Sequence, residues 1–301
     1  MLDNRDLGSR VVVRRRVGTR FTDILGELTE LSETHLTVAT LRGKIRVPLD
    51  EVHRSKRIPD LAGLERAAAQ AMPAVVVKQL GEWQLRASEG FTGRANSALP
   101  LGDPGLPFSE AVAAVVAFYD QHGLPAQFDV PLPLGRPVAR RLTDLGWAPG
   151  QSVLVRAIDL PDLVAATPAG AEFTLADRPS EQMLEMIKGR RGVLPAAAAH
   201  VLTAVPQLAF AGYQESGVLL GMARGTVTSR WLGLTFIETA EVARRRGLAR
   251  SAIGALARWA QELGATRAFL QVSDNNTAAL ALYDSLGFRA HHWYTRYTRR
   301  G

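Results

Sequence analysis

Two stretches of this chain, held at one constant offset, carry one grammar of elements. In the first, an apolar helix opened by Ser109-Glu110 runs through Tyr119 and stops at Gly123. A strand near Gln127–Val130, a helix from Pro137 to Leu145 and the pair Gly146-Trp147 follow. In the second, a helix from Gly247 to Leu263 stops at Gly264, and a strand over Ala268–Val272, a helix from Thr277 to Leu286 and Gly287-Phe288 follow. The step from Gly123 to Gly264 equals the step from Gly146 to Gly287, so that Asp144-Leu145-Gly146-Trp147 faces Ser285-Leu286-Gly287-Phe288. Self-similarity at a fixed spacing reads as a diverged internal duplication. The first copy takes in a helix from Leu61 to Met72, strands over Ala74–Lys78 and Glu82–Ala87, and a Pro/Gly-broken loop over residues 100–107. Residues 161–170, rich in proline and small side chains and without periodicity, read as the linker between the copies.

The most informative segment lies in the second copy. Trp231–Thr239 is rich in aromatic and β-branched residues and predicts a strand. Arg244-Arg245-Arg246-Gly247 follows, and then apolar side chains recur at Ala249, Ile253, Leu256, Ala260 and Leu263. Those steps draw one face of a helix. A strand, a short loop and a helix opening at a glycine present unpaired N–H groups, which together with the helix dipole favour an anion. Gly247 has no Cβ to hold a phosphate off the backbone, and flanking arginines can add bidentate contacts.

With those residues in view, the chain resembles the GNAT superfamily of N-acetyltransferases. Arg244-x-x-Gly247-x-Ala249 is similar to the family's Arg/Gln-x-x-Gly-x-Gly/Ala signature, whose loop cradles the diphosphate of coenzyme A. A second signature follows in order, Asn276-x-x-Ala279-x-x-Leu282-Tyr283-x-x-x-Gly287-Phe288. The resemblance covers residues 170–301 and implies an α/β (α+β) fold with a mixed central sheet flanked by helices. Residues 61–160 resemble a second, degenerate copy of that fold. Its loop Leu101–Phe108 holds Asp103 and no arginine, which disfavours a diphosphate there.

The resemblance implies acetyl-CoA as cosubstrate and transfer to a primary amine by direct attack. By position, Ile237, Glu238 and Thr239 would hold the acetyl group and pantetheine arm, with the Thr239 N–H facing the carbonyl oxygen. Arg244, and the amides and side chains of Arg245, Arg246, Gly247, Leu248, Ala249 and Arg250, would hold the diphosphate. Asn276 would contact the arm, and Tyr283 would protonate the leaving sulfur. Family members acting on ribosomal-protein N-termini carry a glutamate in the strand before the Asn motif, where this chain has Gln271. Glutamine cannot take a proton, so Glu238 becomes the candidate base, with a bound water, or an amine that arrives already neutral, as the alternatives. The acceptor site is expected around Ser180–Ile187 and Pro195–Val201, with Lys188-Gly189-Arg190-Arg191-Gly192 as a cationic loop between them that suits an acidic or carboxylate-bearing acceptor.

Residues 1–58 read as all-β. Val11 and Val13 alternate with polar neighbours, and His35–Leu41 and Lys44–Leu49 alternate around Arg42-Gly43, a hairpin pattern. In strand pattern and length this segment resembles a small Src-homology-3-like barrel. Its runs Arg14-Arg15-Arg16 and Arg54-Ser55-Lys56-Arg57 leave open a nucleic-acid or protein interaction module, with a lobe that only senses coenzyme A, as the alternative function. The net charge of +7 allows nucleic acid or acidic partners without choosing among them. The absence of cysteine excludes disulfides, thiol nucleophiles and cysteine-ligated zinc, and the six histidines form no His-Glu-x-x-His, so no metal is expected. No run of about 18 apolar residues and no secretory leader is visible, and the expected location is the cytoplasm.

Overall fold

The computed structural model describes residues 2–40 and 42–299. Met1, Leu41, Arg300 and Gly301, which the expected segments include, lie outside the described residues. The chain divides into two compact units, Met1–Gly63 and Leu64–Gly301.

The first unit is one antiparallel sheet of β1 (Arg10–Val17), β2 (Arg20–Leu31), β3 (His35–Thr40), β4 (Gly43–Pro48) and β5 (Val52–Arg57) in the order β4-β3-β2-β1-β5. Alternation sends Val11, Val13, Ile24, Leu28, Leu36, Val38 and Val47 into a shared core. Closing a sheet into a barrel requires its two edge strands to pair. Here β4 and β5 are joined by the single turn Leu49–Glu51, and no ladder between them is present among the described residues. The expected small barrel is therefore not shown: among the described residues the five strands form a sheet with no closure between β4 and β5.

The second unit begins within α1 (Leu61–Ala71) and runs through β6 (Val76–Leu80), β7 (Trp83–Ala87), β8 (Leu99–Pro100), α2 (Phe108–Gln121), β9 (Gln127–Leu132), α3 (Arg136–Asp144), β10 (Trp147–Asp159) and α4 (Leu160–Ala166). It continues with β11 (Thr174–Ala176), α5 (Glu181–Arg191), α6 (Ala197–Thr203), β12 (Leu208–Glu215), β13 (Val218–Thr228), β14 (Trp231–Thr239), α7 (Leu248–Glu262), β15 (Arg267–Ser273), α8 (Thr277–Ser285) and β16 (Arg289–Arg299). Eight strands make a mixed sheet, β11-β12-β13-β14-β15-β10-β16-β9, and β6, β7 and β8 make a small one. The buried residues of α4 and α7 pack with the sheet in one core, which includes Leu163, Ile253, Leu256, Leu234 and Leu270. Leu64, Ala68 and Ala71 of α1 pack on Val155, Phe269 and Tyr294 in another.

At the offset that carries Gly146 onto Gly287, α3 (136–144) maps onto α8 (277–285), and β10 overlays β16. These two last strands pair antiparallel with each other, and Val153 faces Tyr294, its own counterpart at the same offset. Each then borders the other stretch's preceding strand: β10 pairs with β15, and β16 with β9. The sheet thus has a local twofold about the Val153–Tyr294 pair, and a strand from before residue 160 completes the half that holds β14 and β15.

The expected linker is corrected in its first part. Residues 160–166 form α4, with Pro161 in the first turn and Leu160 and Leu163 fully buried. Two apolar side chains three apart were enough to dock a short helix on α7, and proline at a helix start costs no hydrogen bond. Lys188–Arg191 is likewise the last turn of α5, not a loop. Ser180 caps that helix through its Oγ, which accepts the Met183 N–H (3.2 Å), and only Gly192 (φ 81) leaves it.

Candidate functional site

The site begins where two parallel strands part. β14 and β15 pair only over Trp231–Leu234 and Arg267–Leu270. Beyond Leu234, β14 stays with β13, while β15 stays with β10 through Gln271–Val155 and Val272–Leu154. A wedge therefore opens between β14 and β15 in the middle of the sheet. The cause is local. Thr235 faces Arg224 and Glu238 faces Met222, so Phe236 and Ile237 together oppose Ala223. This is a bulge, which bends the strand that carries it, and Phe236 sits in the left-handed region (φ 50). Past the bulge, Ala240 donates its N–H to Leu220 O (2.9 Å). Strand N–H groups alternate in direction, so the Thr239 N–H turns away from β13 into the wedge.

Following β14, the chain makes a turn over Glu241–Ala243 and then the loop Arg244–Gly247. Arg245 (φ 63) and Gly247 (φ 78) are both left-handed. Left-handed residues interleaved with right-handed or extended ones point successive N–H groups into one concavity, an anion-binding nest. Leu248 then opens α7 with no side-chain cap. The N–H groups from Arg245 to Arg250 meet no acceptor among the described residues; the first to do so is that of Ser251, bonded to Gly247 O (3.0 Å). Six unbonded donors thus lie at the positive end of a 15-residue helix.

The side chains of this loop are deployed differently from their amides. Arg246 pairs with Glu215 (Nη1–Oε2 3.1 Å), Arg244 with Glu241 (3.1 Å), and Arg250 donates to Ala166 O (2.9 Å) and Ser285 Oγ (2.7 Å). Leu248 is buried in the core. Of the expected diphosphate ligands, only Arg245 projects an uncommitted guanidinium; the others can contribute their N–H groups. Asn276 is also partly committed, since its Oδ1 caps α8 by accepting the Ala279 N–H (3.2 Å), which leaves its amide nitrogen to donate.

Tyr283 lies under the wedge, buried in the core beside Phe288. Burial, and next the nearby Glu238 charge, push its hydroxyl up to about 12, so it is protonated at neutral pH. Glu238 accepts from Arg190 Nε (3.1 and 3.2 Å to its two oxygens). Burial raises its pKa above the ordinary carboxylate value, with Arg190, Arg191 and Arg244 opposing. Tyr283 thus stands close enough to Glu238 to feel its charge, and Thr239 follows Glu238 at the end of β14.

Other groups meet at the wedge; Gln271 and Arg191 were already marked in the sequence, whereas Phe91, Arg94 and Arg224 carried no sequence signal. Gln271 stands at the first position of β15 beyond the parallel pairing. Its Oε1 accepts from Arg94 Nη1, and its amide nitrogen is buried without a partner. Phe91 stacks on Phe236 (6.3 Å between ring centres, 7° between planes), and Arg191 covers the Phe236 ring at 5.0 Å. Arg224 is fully buried, donating to Leu202 O (2.8 Å) and Ala71 O (3.0 Å). Arg94 and Phe91 come from the first of the two stretches, far upstream of β14, and only the folded chain brings them here. Among the described residues no group of His, Asp and Glu is arranged to hold a metal, and no helix is long and apolar enough to cross a membrane.

A family described as "Probable histone acetyltransferase Rv0428c C-terminal" matches residues 59–298. The chain is 33% identical over 308 residues to the probable histone acetyltransferase Rv0428c of Mycobacterium tuberculosis, with 95% of this chain and 93% of that protein covered. It is 28% identical over 235 residues to the uncharacterized N-acetyltransferase YobR of Bacillus subtilis, covering 76% and 94% respectively. Among solved structures, a GCN5-related N-acetyltransferase from Kribbella flavida superposes with a TM-score of 0.62 at 18% identity, over 80% of this chain and 96% of that one. A tandem GNAT protein of the clavulanic acid biosynthesis pathway superposes with a TM-score of 0.51 at 15% identity, over 67% and 74%.

Proposed function

The chain belongs to the acetyltransferase family described by the C-terminal region of Rv0428c, and from that premise we propose that it moves the acetyl group of acetyl-CoA onto a primary amine by direct attack in a ternary complex. The observation that carries this reading is the junction of wedge and nest. A strand gap that exposes one N–H lies next to six unsatisfied N–H groups at a helix start. That pairing fits a thin arm ending in a diphosphate. Acetyl-CoA supplies an activated thioester carbonyl when bound.

The protein's own groups have defined tasks in this reading. The N–H groups from Arg245 to Arg250, with the Arg245 side chain, hold the diphosphate. The backbone of Ile237 to Thr239 and the amide of Asn276 orient the arm. The Thr239 N–H donates to the carbonyl oxygen, where negative charge grows during attack. Glu238, with its raised pKa, accepts a proton from the attacking amine directly or through one water. Tyr283, protonated at the working pH, delivers a proton to the departing sulfur. Nothing in this route requires an acyl-enzyme, and the chain has no cysteine to form one.

The rest of the chain takes supporting roles. Residues 61–160 act as a degenerate second copy of the GNAT lobe, supported by the match of elements at a constant offset and the Val153–Tyr294 axis. Asp103 in the corresponding loop argues against coenzyme A there. Residues 170–301 are the catalytic lobe, completed by β10, and residues 1–58 are an accessory β unit.

Calorimetry with coenzyme A and thiol release from acetyl-CoA across amines, amino acids and peptide N-termini test the reading. Binding together with amine-dependent thiol release supports it. No heat of association, or thiol release only through a covalent acetyl-protein, rejects it.

A further inference from the structure

The segment 88–97 is built with unusual care for a loop. Asn96 is 3% exposed and ties it from inside: its Oδ1 accepts the N–H groups of Ser88 (2.7 Å) and Gly90 (3.0 Å), and its Nδ2 donates to Phe91 O (2.9 Å) and Thr92 O (2.7 Å). Two non-glycine residues in it, Glu89 (φ 50) and Thr92 (φ 61), are held left-handed. Strain of that kind persists only where surrounding bonds impose it, and it marks functional segments. The segment delivers two side chains to the wedge, Phe91 against Phe236 and Arg94 against Gln271.

Charge at the wedge is unbalanced. Arg190 has Glu238. Arg94 and Arg191 form no ion pair within salt-bridge distance among the described residues; they stand close enough to repel each other, although Glu238 also attracts Arg191. Behind them the buried Arg224 is met, among the described residues, only by neutral oxygens. Beside these cations the buried amide nitrogen of Gln271 has a donor to spare. Guanidinium forks match carboxylate and phosphate oxygens in a plane.

We propose that Arg94 and Arg191 form an anion subsite for the acetyl acceptor at the mouth of the wedge, so that the acceptor is an amine carrying a carboxylate or a phosphate. The inference rests on reading the wedge as the acetyl-transfer site. The layout is dipolar: the anion lies against Arg94 and Arg191, and the amine lies toward Glu238. A lysine-rich tail would meet like charge at this mouth, and the subsite selects against it.

The protein is first saturated with coenzyme A, which occupies the diphosphate nest, and is then titrated calorimetrically with succinate and with inorganic phosphate. In parallel, thiol release is followed for two matched amine pairs, β-alanine with β-alaninamide and O-phosphoethanolamine with ethanolamine. One anion should bind, and its amine should exceed the neutral partner in kcat/KM by about tenfold or more, the scale of a charge-assisted hydrogen bond. Which pair shows the preference separates carboxylate from phosphate. Arg94→Ala and Arg191→Ala should each weaken the anion and shrink the preference through KM, and Arg94→Lys should restore part of it. Arg191 is exposed on the end of α5, so its variant keeps the test intact if Arg94→Ala does not fold. Anion binding that ignores both substitutions, absence of anion binding to the coenzyme-A-loaded protein, or preference for neutral amines or lysine-rich peptides overturns the proposal. Where none of the four amines is acetylated, the calorimetric arm decides. Failure of coenzyme A itself to bind removes the underlying reading and this subsite with it.

Discussion

Replacing Gly247 by alanine isolates the contribution of the nest. Gly247 is left-handed (φ 78, ψ 3), and a Cβ built there meets no heavy atom within 4 Å. The substitution therefore brings no clash within the protein, and its whole cost is the left-handed penalty of an L-residue, about 1–2 kcal/mol. Two responses are open to the chain. If the loop keeps its shape, the protein loses that amount of stability, and coenzyme A binding weakens only by what the new Cβ takes from the approach of the diphosphate. If the loop relaxes to negative φ, stability is spared, but binding must restore the left-handed turn, and the dissociation constant rises by about 5–30-fold for the same 1–2 kcal/mol. Both routes end in the same strained complex, so stability loss and affinity loss together should come to at least about 1–2 kcal/mol, with any Cβ–phosphate contact adding to the affinity part. Denaturant unfolding gives the first quantity and calorimetry with coenzyme A the second. If both are unchanged, the bound loop does not use the left-handed turn, and the assignment of the diphosphate to these N–H groups is refuted.

Tyr283→Phe removes the candidate acid while keeping the ring, and turnover should fall by about 10²–10⁴-fold; wild-type kcat in that variant removes Tyr283 from the chemistry. The pH dependence of kcat/KM should follow Glu238: activity rises as pH climbs through its elevated pKa, and Glu238→Gln should abolish that limb, whereas an identical limb in the variant assigns it to another group. Stability should fall in alkali. Burial raises the folded-state pKa of Tyr283 to about 12, and also raises those of Tyr119 and Tyr294. Between the ordinary tyrosine value and the raised one, the folded chain keeps protons that the unfolded chain has released, so stability is complete below about pH 10 and is lost above it. Unfolding midpoints at pH 9 and pH 11 measure this, and a flat profile contradicts the burial of these hydroxyls. Gly225→Ala tests the sheet–helix packing: its Cβ would stand 2.9 Å from Leu256 Cδ2 and 3.2 Å from Leu232 Cδ1, and chemical denaturation should show a loss of about 1–3 kcal/mol from overpacking.

The legible features of this chain were those written in consecutive residues. Periodicity drew α7, aromatic and β-branched content drew the strand before it, Gly247 marked the helix start, and the repeated grammar placed α8, because these depend on φ/ψ preference and on which face is apolar. The partition of Arg245 to Arg250 between backbone and side-chain roles was not legible, since Glu215 and Ser285, which engage Arg246 and Arg250, lie several elements away along the chain. Residues 160–166 misled for a related reason: Leu160 and Leu163 become a buried helix face only once α7 is there to cover them.

The amino-acid sequence by itself determined a repeated helix–strand–helix order and a glycine-marked loop opening α7, because glycine conformations and apolar spacing are properties of neighbours along the chain. The tertiary structure alone decided that β10 enters the second half of the sheet, that β14 and β15 part after Leu234, and that Arg94 meets Gln271 there. Those outcomes depend on pairing between strands and side chains from opposite halves of the chain, and nothing local encodes them.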